Sequence, residues 1–209
     1  MLGNPLPRHF YYGDPLSVAR RLLGKLLVRM WRGKRLSGVI VEVEAYYGAE
    51  DPASRARKGG DLARVMAGEC GRALIYGVHG RWLLNVVAHE PGGIGAILIR
   101  AIEPREGIEL MMENRGVRGL RLLTSGPGRL TQALAIDKSL HGKPLYTTRH
   151  GLWIEPGIEV GEAEIARSYR IGVSEDLDEP LRLYIRGSPF VSRAKPGSRR
   201  SPPVAGLKP

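Results

Sequence analysis

Apolar positions in this chain fall mainly into short runs of strand character, separated by glycine and proline, and only a few stretches carry helical spacing. Leu26–Trp31 and Leu36–Val43 are two such runs, and with Arg32-Gly-Lys34 between them they predict a pair of strands. Ala73–Val78 and Arg81–Ala88 predict a hairpin that turns at His79-Gly80. Ile94–Ile102 is a further apolar strand with Arg100 inside it. Short strands are expected near Leu152–Glu155, Ala166–Gly172 and Leu181–Ile185. Helical spacing appears at Leu16, Ala19, Leu22, Leu23 and Leu26, after Asp14-Pro15 as N-cap and first-turn proline, with Gly24 near its end. Ile108–Asn114 predicts a short amphipathic helix, and the glycine loop Thr124–Leu130 leads into a helix through Ile136. Residues 49–72, dense in Arg, Gly and Ala, read as loop. Helices and strands do not alternate as βαβ units, so the expected fold class is α+β.

A chain of 209 residues fits one domain. That domain is expected over residues 1–193. Residues 194–209 form a basic tail of Pro, Gly, Ser and Arg, a composition that builds no core and is expected to be disordered. The formal net charge is +11, from 32 Lys plus Arg against 21 Asp plus Glu, and the chain stays basic when its C-terminal arginines and lysines are set aside. Such a balance favours a polyanionic partner, nucleic acid above all, although a basic surface that is simply solvated is the ordinary alternative. Cys70 is the single cysteine, which excludes an internal disulfide, and no Cys/His spacing suits zinc. No apolar stretch is long enough to span a membrane and no apolar leader opens the chain, so the expected location is intracellular, in the cytoplasm or nucleoid.

The candidate chemistry concentrates in Val39–Asp51. An apolar β-branched run there becomes acidic and aromatic at its end. Glu42 and Glu44 lie two residues apart, so both point to one face of the strand. Two such carboxylates repel and need partners. One is expected to pair with an arginine while the other activates water, unless both lie on an exposed edge. Tyr46 and Tyr47 offer flat surfaces for base stacking, or ordinary packing at a sheet edge. Arg100 and Asn85 are polar breaks in apolar strands. They either hold a functional group or are satisfied structurally. Ser125-Gly-Pro-Gly-Arg129 opens a helix and is a weak candidate for seating a phosphate.

Four blocks, in this order, resemble the alkyladenine (3-methyladenine) DNA glycosylase family, the monofunctional purine glycosylases of base excision repair. They are Val41-Glu-Val-Glu-Ala-Tyr46 through Glu50-Asp-Pro-Ala-Ser54, Ala96-Ile-Leu-Ile-Arg-Ala-Ile-Glu-Pro104, Ser125–Ile136, and Pro180-Leu-Arg-Leu-Tyr-Ile-Arg-Gly-Ser-Pro-Phe-Val-Ser192. The resemblance covers roughly residues 8–193. It implies a single α+β domain with a mixed, curved antiparallel sheet, flanking helices and a protruding β-hairpin. It also implies that Glu44 is the general base, that Tyr46 stacks on the flipped base, and that Arg100 and Asn85 hold the glutamate and its water. Glu42 is then expected to be dispensable, so that Glu42→Gln keeps much of the activity. Arg55 and Tyr76 are expected at the base pocket. Arg81, Gly126 and Arg129 are expected on DNA. The implied partner is duplex DNA carrying damaged purines, bound by a monomer without metal or organic cofactor. A non-catalytic nucleic-acid-binding module is the alternative from another class.

Two departures qualify the resemblance. Arg55 stands where the family usually has a pocket histidine, and a guanidinium only donates and always carries charge. The family's Tyr-Gly hairpin tip fits this chain in two registers: strand spacing favours His79 as the intercalating residue with Tyr76 behind it, whereas a literal match places Tyr76-Gly77 at the tip.

Overall fold

The structure, a computed structural model, describes residues 3–193. The expected basic tail lies outside the described residues. Eight strands form one antiparallel sheet whose main path runs β3 (Ala73–Val78), β4 (Arg81–Val87), β5 (Ala96–Glu106), β2 (Lys34–Tyr46), β1 (Leu26–Trp31) and β6 (Leu152–Glu155). β2 also pairs with β8 (Arg182–Ile185), which in turn pairs with β7 (Ile165–Ser168). Four α-helices flank the sheet: α1 (Pro15–Leu22), α2 (Gly60–Met66), α3 (Ile108–Arg115) and α4 (Pro127–Ala133). The α+β class expected from the pattern is the class observed.

β2 organises the site because its one edge is shared. Residues 34–39 pair with β1, and Glu42–Glu44 pair with β8, so the sheet forks between them. Its other edge is covered by β5, with register shifts on both sides of Glu42. Those shifts change which face the side chains take. Ile40 and Val43 both enter the main core although they lie three apart, while Val39 and Val41 pack in a separate cluster with Ala101 and Phe190. Beyond the shift, Val43 and Ala45 face the core and Glu42, Glu44 and Tyr46 share the opposite face.

Several boundaries differ from the sequence expectation, each for a local reason. Residues 49–72 are not all loop: a 3-10 turn covers Arg55–Lys58, and α2 follows. Gly59 and Gly60, both with positive φ, hide this helix in the sequence, and its stability comes from Val65 and Met66 packing on Leu74, Val87 and Ala96. α1 stops at Leu22 and does not reach Leu26. Asp14 caps its start by accepting from Ser17 N at 2.9 Å. At its end Gly24 takes φ +81°, where a Cβ would meet the Ile158 carbonyl at 2.3 Å. β5 starts later and runs on through Glu106, held by Arg35 Nε to Glu106 Oε2 at 2.8 Å. The helix expected through Ile136 ends at Ala133. The strand expected over Ala166–Gly172 ends at Ser168, and residues 169–172 form a loop that enters the site.

The β3–β4 hairpin turns at His79-Gly80, as the spacing predicts, with φ of 49° and 71°. A two-residue turn with both φ positive favours Asn-Gly over most side chains. His79→Asn should therefore raise the urea midpoint by up to about 1 kcal/mol in stability, and His79→Val should lower it by about 1 kcal/mol, with the denaturant slope unchanged in both.

Candidate active site

At the fork of the sheet, two carboxylates and two guanidiniums lie together out of water. Glu42 and Glu44 are fully buried, and Arg100 and Arg182 nearly so. Glu42 receives Arg100 Nε at 2.9 Å, Arg182 Nε at 2.7 Å, Ser192 Oγ at 2.7 Å and Ser192 N at 2.6 Å. Burial pushes its carboxyl up, but Arg100, Arg182 and the Ser192 bonds outweigh that and hold it below the usual carboxylate range. Arg100 also donates to Glu44, from Nη1 to Oε2 at 3.1 Å. Burial alone would lower Arg100, and the two glutamates reverse the effect and hold it above its ordinary value. Glu42 thus saturates the arginine cluster, and Glu44 shares one guanidinium with it.

Glu44 has two further donors. Ile171 N reaches Oε1 at 2.8 Å and the Tyr46 hydroxyl reaches Oε2 at 2.8 Å. Tyr46 is itself held from behind. The Arg170 guanidinium lies 4.4 Å from its ring centroid. Arg170 is fixed by a bidentate pair with Asp51 at 2.6 and 2.8 Å, by Asp176 at 2.6 Å, and by the Ala45 carbonyl at 3.0 Å. Burial, and then the Glu44 charge, push the Tyr46 phenol well up, so it stays protonated and donates.

Above this cluster opens a cavity of about 550 Å³, lined by Tyr46, Arg55, Tyr76, His79, Leu98 and Arg100 among others. Its volume is within the usual range for a site that encloses one flat heterocycle. Arg55 stacks on Tyr76 at 4.9 Å, and its charge opposes the rise that burial imposes on the Tyr76 phenol. Among the described residues no carboxylate pairs with Arg55. His79 is exposed at the hairpin turn on the rim, while Tyr76 is half-buried on the supporting strand. Asn85 is placed differently from the expectation. It is buried, and its Nδ2 donates to the Leu74 carbonyl at 3.0 Å. Leu98 stands between it and Glu44 in the strand register, so Asn85 orients the pocket wall and does not touch the glutamate. Glu42 holds Arg100 and Arg182, a structural part that the expectation about its activity did not include.

A second, open groove of about 1000 Å³ adjoins the first and contains Arg81, Gly126 and Arg129. α4 is only seven residues long and begins at Pro127, which has no N–H, so the glycine loop contributes little as an amide nest and the arginines supply the positive charge. Among the described residues, no group of three or more His, Cys, Asp and Glu side chains is placed to hold a metal ion, and no helix is long and apolar enough to cross a membrane.

A buried, arginine-held glutamate beneath a flat-walled cavity, next to an open basic groove, defines an enzyme that works on one unit of a polyanion. The comparisons agree. The model of the methylpurine-DNA glycosylase family matches residues 9–189, and the chain belongs to that family. A protein of Aeropyrum pernix named "putative 3-methyladenine DNA glycosylase" is 46% identical over 93% of this chain and 96% of its own. Proteins of the same name from Gloeobacter violaceus (41% identical, over 88% of this chain and 85% of theirs) and Koribacter versatilis (42%, over 90% and 93%) are also similar. This chain is thus a purine-specific DNA glycosylase, an enzyme of base excision repair.

Sequence reasoning did not single out several residues that complete the site. Arg182 interrupts Leu181–Ile185 as Arg100 interrupts β5, and that shared signal was available. Arg170, Asp176, Ser192 and the Ile171 amide come from loops with no periodic pattern, and only folding brings them to Glu42, Glu44 and Tyr46.

Removing the Glu42 charge leaves two buried guanidiniums with one shared carboxylate. Glu42→Gln should destabilise the fold by about 3–5 kcal/mol, measured by urea unfolding at neutral pH. The wild-type dependence on pH follows from the same group. Its folded pKa lies below its unfolded value, so its stabilisation is complete above roughly pH 4.3 and is lost as pH falls through the folded value. Asp51, which burial raises and Arg170 more than compensates, acts in the same direction. The acid limb of the stability curve should be shallower in Glu42→Gln than in wild type.

Proposed function

We propose that this enzyme flips an alkylated or deaminated purine from duplex DNA into the 550 Å³ cavity and hydrolyses its N-glycosidic bond with water activated by Glu44. The supporting observation is the setting of Glu44: a fully buried carboxylate fixed by Arg100, the Ile171 amide and the Tyr46 hydroxyl, three residues that line the cavity. Flipping is required because the anomeric carbon and the base edges are hidden in the stacked duplex. Tyr46, backed by Arg170, replaces the lost stacking on one face. Water entering with the substrate takes the place of the Tyr46 hydroxyl on Glu44 and gives up a proton to that carboxylate. Its oxygen bonds to the anomeric carbon, and the base leaves with the electron pair of the broken C–N bond. The sugar passes through oxocarbenium character, which the Glu44 charge stabilises. The product is an abasic site, since no lysine nucleophile is involved. His79, exposed at the hairpin turn, is the side chain that fills the gap left in the duplex. Arg81 and Arg129 bind the DNA backbone, and the enzyme acts as a monomer.

Glu44→Gln keeps the shape but cannot accept the proton. It should abolish release of hypoxanthine or ethenoadenine from duplex oligonucleotides while leaving lesion binding within several-fold. Release near the wild-type rate would overturn the assignment.

Arg55 selects among substrates. Its uncompensated cation lines the cavity, so neutral lesions such as hypoxanthine should be released in preference to cationic 3-methyladenine and 7-methylguanine. Arg55→His should recover release of the cationic bases. Efficient release of 7-methylguanine by the wild-type enzyme would show that Arg55 does not act on the base.

A further inference from the structure

The groove beside the base cavity concentrates arginines that have no acidic partner. Several arginines elsewhere are paired with acids, Arg35 with Glu106 and Glu155, Arg170 with Asp51 and Asp176, Arg100 and Arg182 with Glu42, while single ones such as Arg21, Arg29 and Arg186 donate to backbone carbonyls. Arg81, Arg115, Arg121 and Arg129 all line the groove, and no Asp or Glu lines it. Among the described residues none of the four forms an ion pair.

Their partners are neutral oxygens. Gln132 Oε1 accepts from Arg81 Nη1 at 2.6 Å and from Arg115 Nη1 at 3.3 Å. Arg129 donates to the Ser125 carbonyl at 3.0 Å, and Arg115 Nη2 to the Leu122 carbonyl at 3.5 Å. The Arg115 Nε is buried and has no partner. Burial first, and then Arg129 and Arg81, disfavour the Arg115 charge. An amide oxygen between two guanidiniums fixes their positions and leaves both charges intact. A carboxylate at the same place would hold them more strongly and cancel one charge. The fold therefore gives up a stabilising ion pair at this point and keeps the positive field.

We infer that Arg81 and Arg115, clamped by the neutral Gln132, form with Arg129 a phosphate-binding site that grips the DNA backbone beside the flipped nucleotide. The groove and the base cavity share Arg81, Arg100, Gly128 and Ile171 in their walls, so a strand lying in the groove is continuous with a nucleotide in the cavity. The planar guanidinium fork suits a phosphate. α4 fits closely against the arginines: a Cβ at Gly128 would lie 2.9 Å from the Arg81 Cβ. Gln132 is a positioning residue here, acting through the arginines. The inference rests on the DNA-binding part of the reading above and not on its chemistry.

The test uses the full chain and a fluorescent undamaged duplex, so binding is read without base release. Gln132→Glu should weaken binding on the order of tenfold and make the log–log salt slope shallower by about one, because one cation is neutralised. Its melting temperature should stay the same or rise, since the new carboxylate pairs with Arg81 and Arg115. A residue with a merely structural role would lose affinity and melting temperature together. Arg115→Gln is the second variant and should also flatten the slope. Lys34→Gln changes the net charge as much as Gln132→Glu, at the far end of β2, and should move the slope by less than half as far. A slope unchanged in Gln132→Glu and Arg115→Gln, or moved equally by Lys34→Gln, would overturn the proposal. A wild-type enzyme that binds duplex with this slope yet releases no base would refute the glycosidic reading alone.

Discussion

The whole site depends on placing two glutamates on one face of a buried strand. Glu42 and Glu44 repel each other, and each carries a desolvation cost of several kcal/mol. Arg100 from β5 and Arg182 from β8 neutralise them, and they can do so only because β2 is flanked by both strands at this point. The fork of the sheet is therefore the condition for burying the second carboxylate at all. Glu44 is held in a fixed direction by Arg100, the Ile171 amide and the Tyr46 hydroxyl, residues that also line the cavity. Without such donors a buried glutamate would take up a proton.

The same economy of charge divides the molecule into two electrostatic regions. Beneath the cavity, arginines and acids balance closely. Around the groove, the arginines face neutral oxygens, and the positive field extends to solvent. A glycosylase needs both conditions. A polyanion must be attracted from a distance, whereas a developing oxocarbenium ion must meet negative and not positive charge. Arg55 is the exception inside the cavity, where an unpaired cation sits on Tyr76.

Tyr46 connects the two halves of the mechanism. Its hydroxyl lies on Glu44 and its ring lines the cavity, with Arg170 against one face. Arg170 is in turn locked by Asp51 and Asp176, so the stacking surface is rigid before any base arrives. Rigidity here limits the ordering entropy that the flipped base would otherwise cost on binding.

The sequence by itself determined the strands, the two-residue hairpin turn and the face on which Glu42, Glu44 and Tyr46 stand. Those features follow from period-two patterning and turn chemistry, which are local. It also marked Arg100 as a polar break that needs a partner, and the order of its motifs pointed to the family. Only the tertiary structure decided how the charges are shared. Arg182, Arg170, Asp176 and Ser192 lie far along the chain from Glu44, and no periodicity records that a loop amide at Ile171 will meet its carboxylate. That Asn85 does not meet Glu44 directly is not legible either: one leucine across the sheet lies between them, and cross-strand register is not written in either strand alone. α2 was hidden because two glycines precede it and its stability comes from packing on β3, β4 and β5. Local pattern sets which elements form, but hydrogen bonds and ion pairs between distant segments depend on how those elements meet.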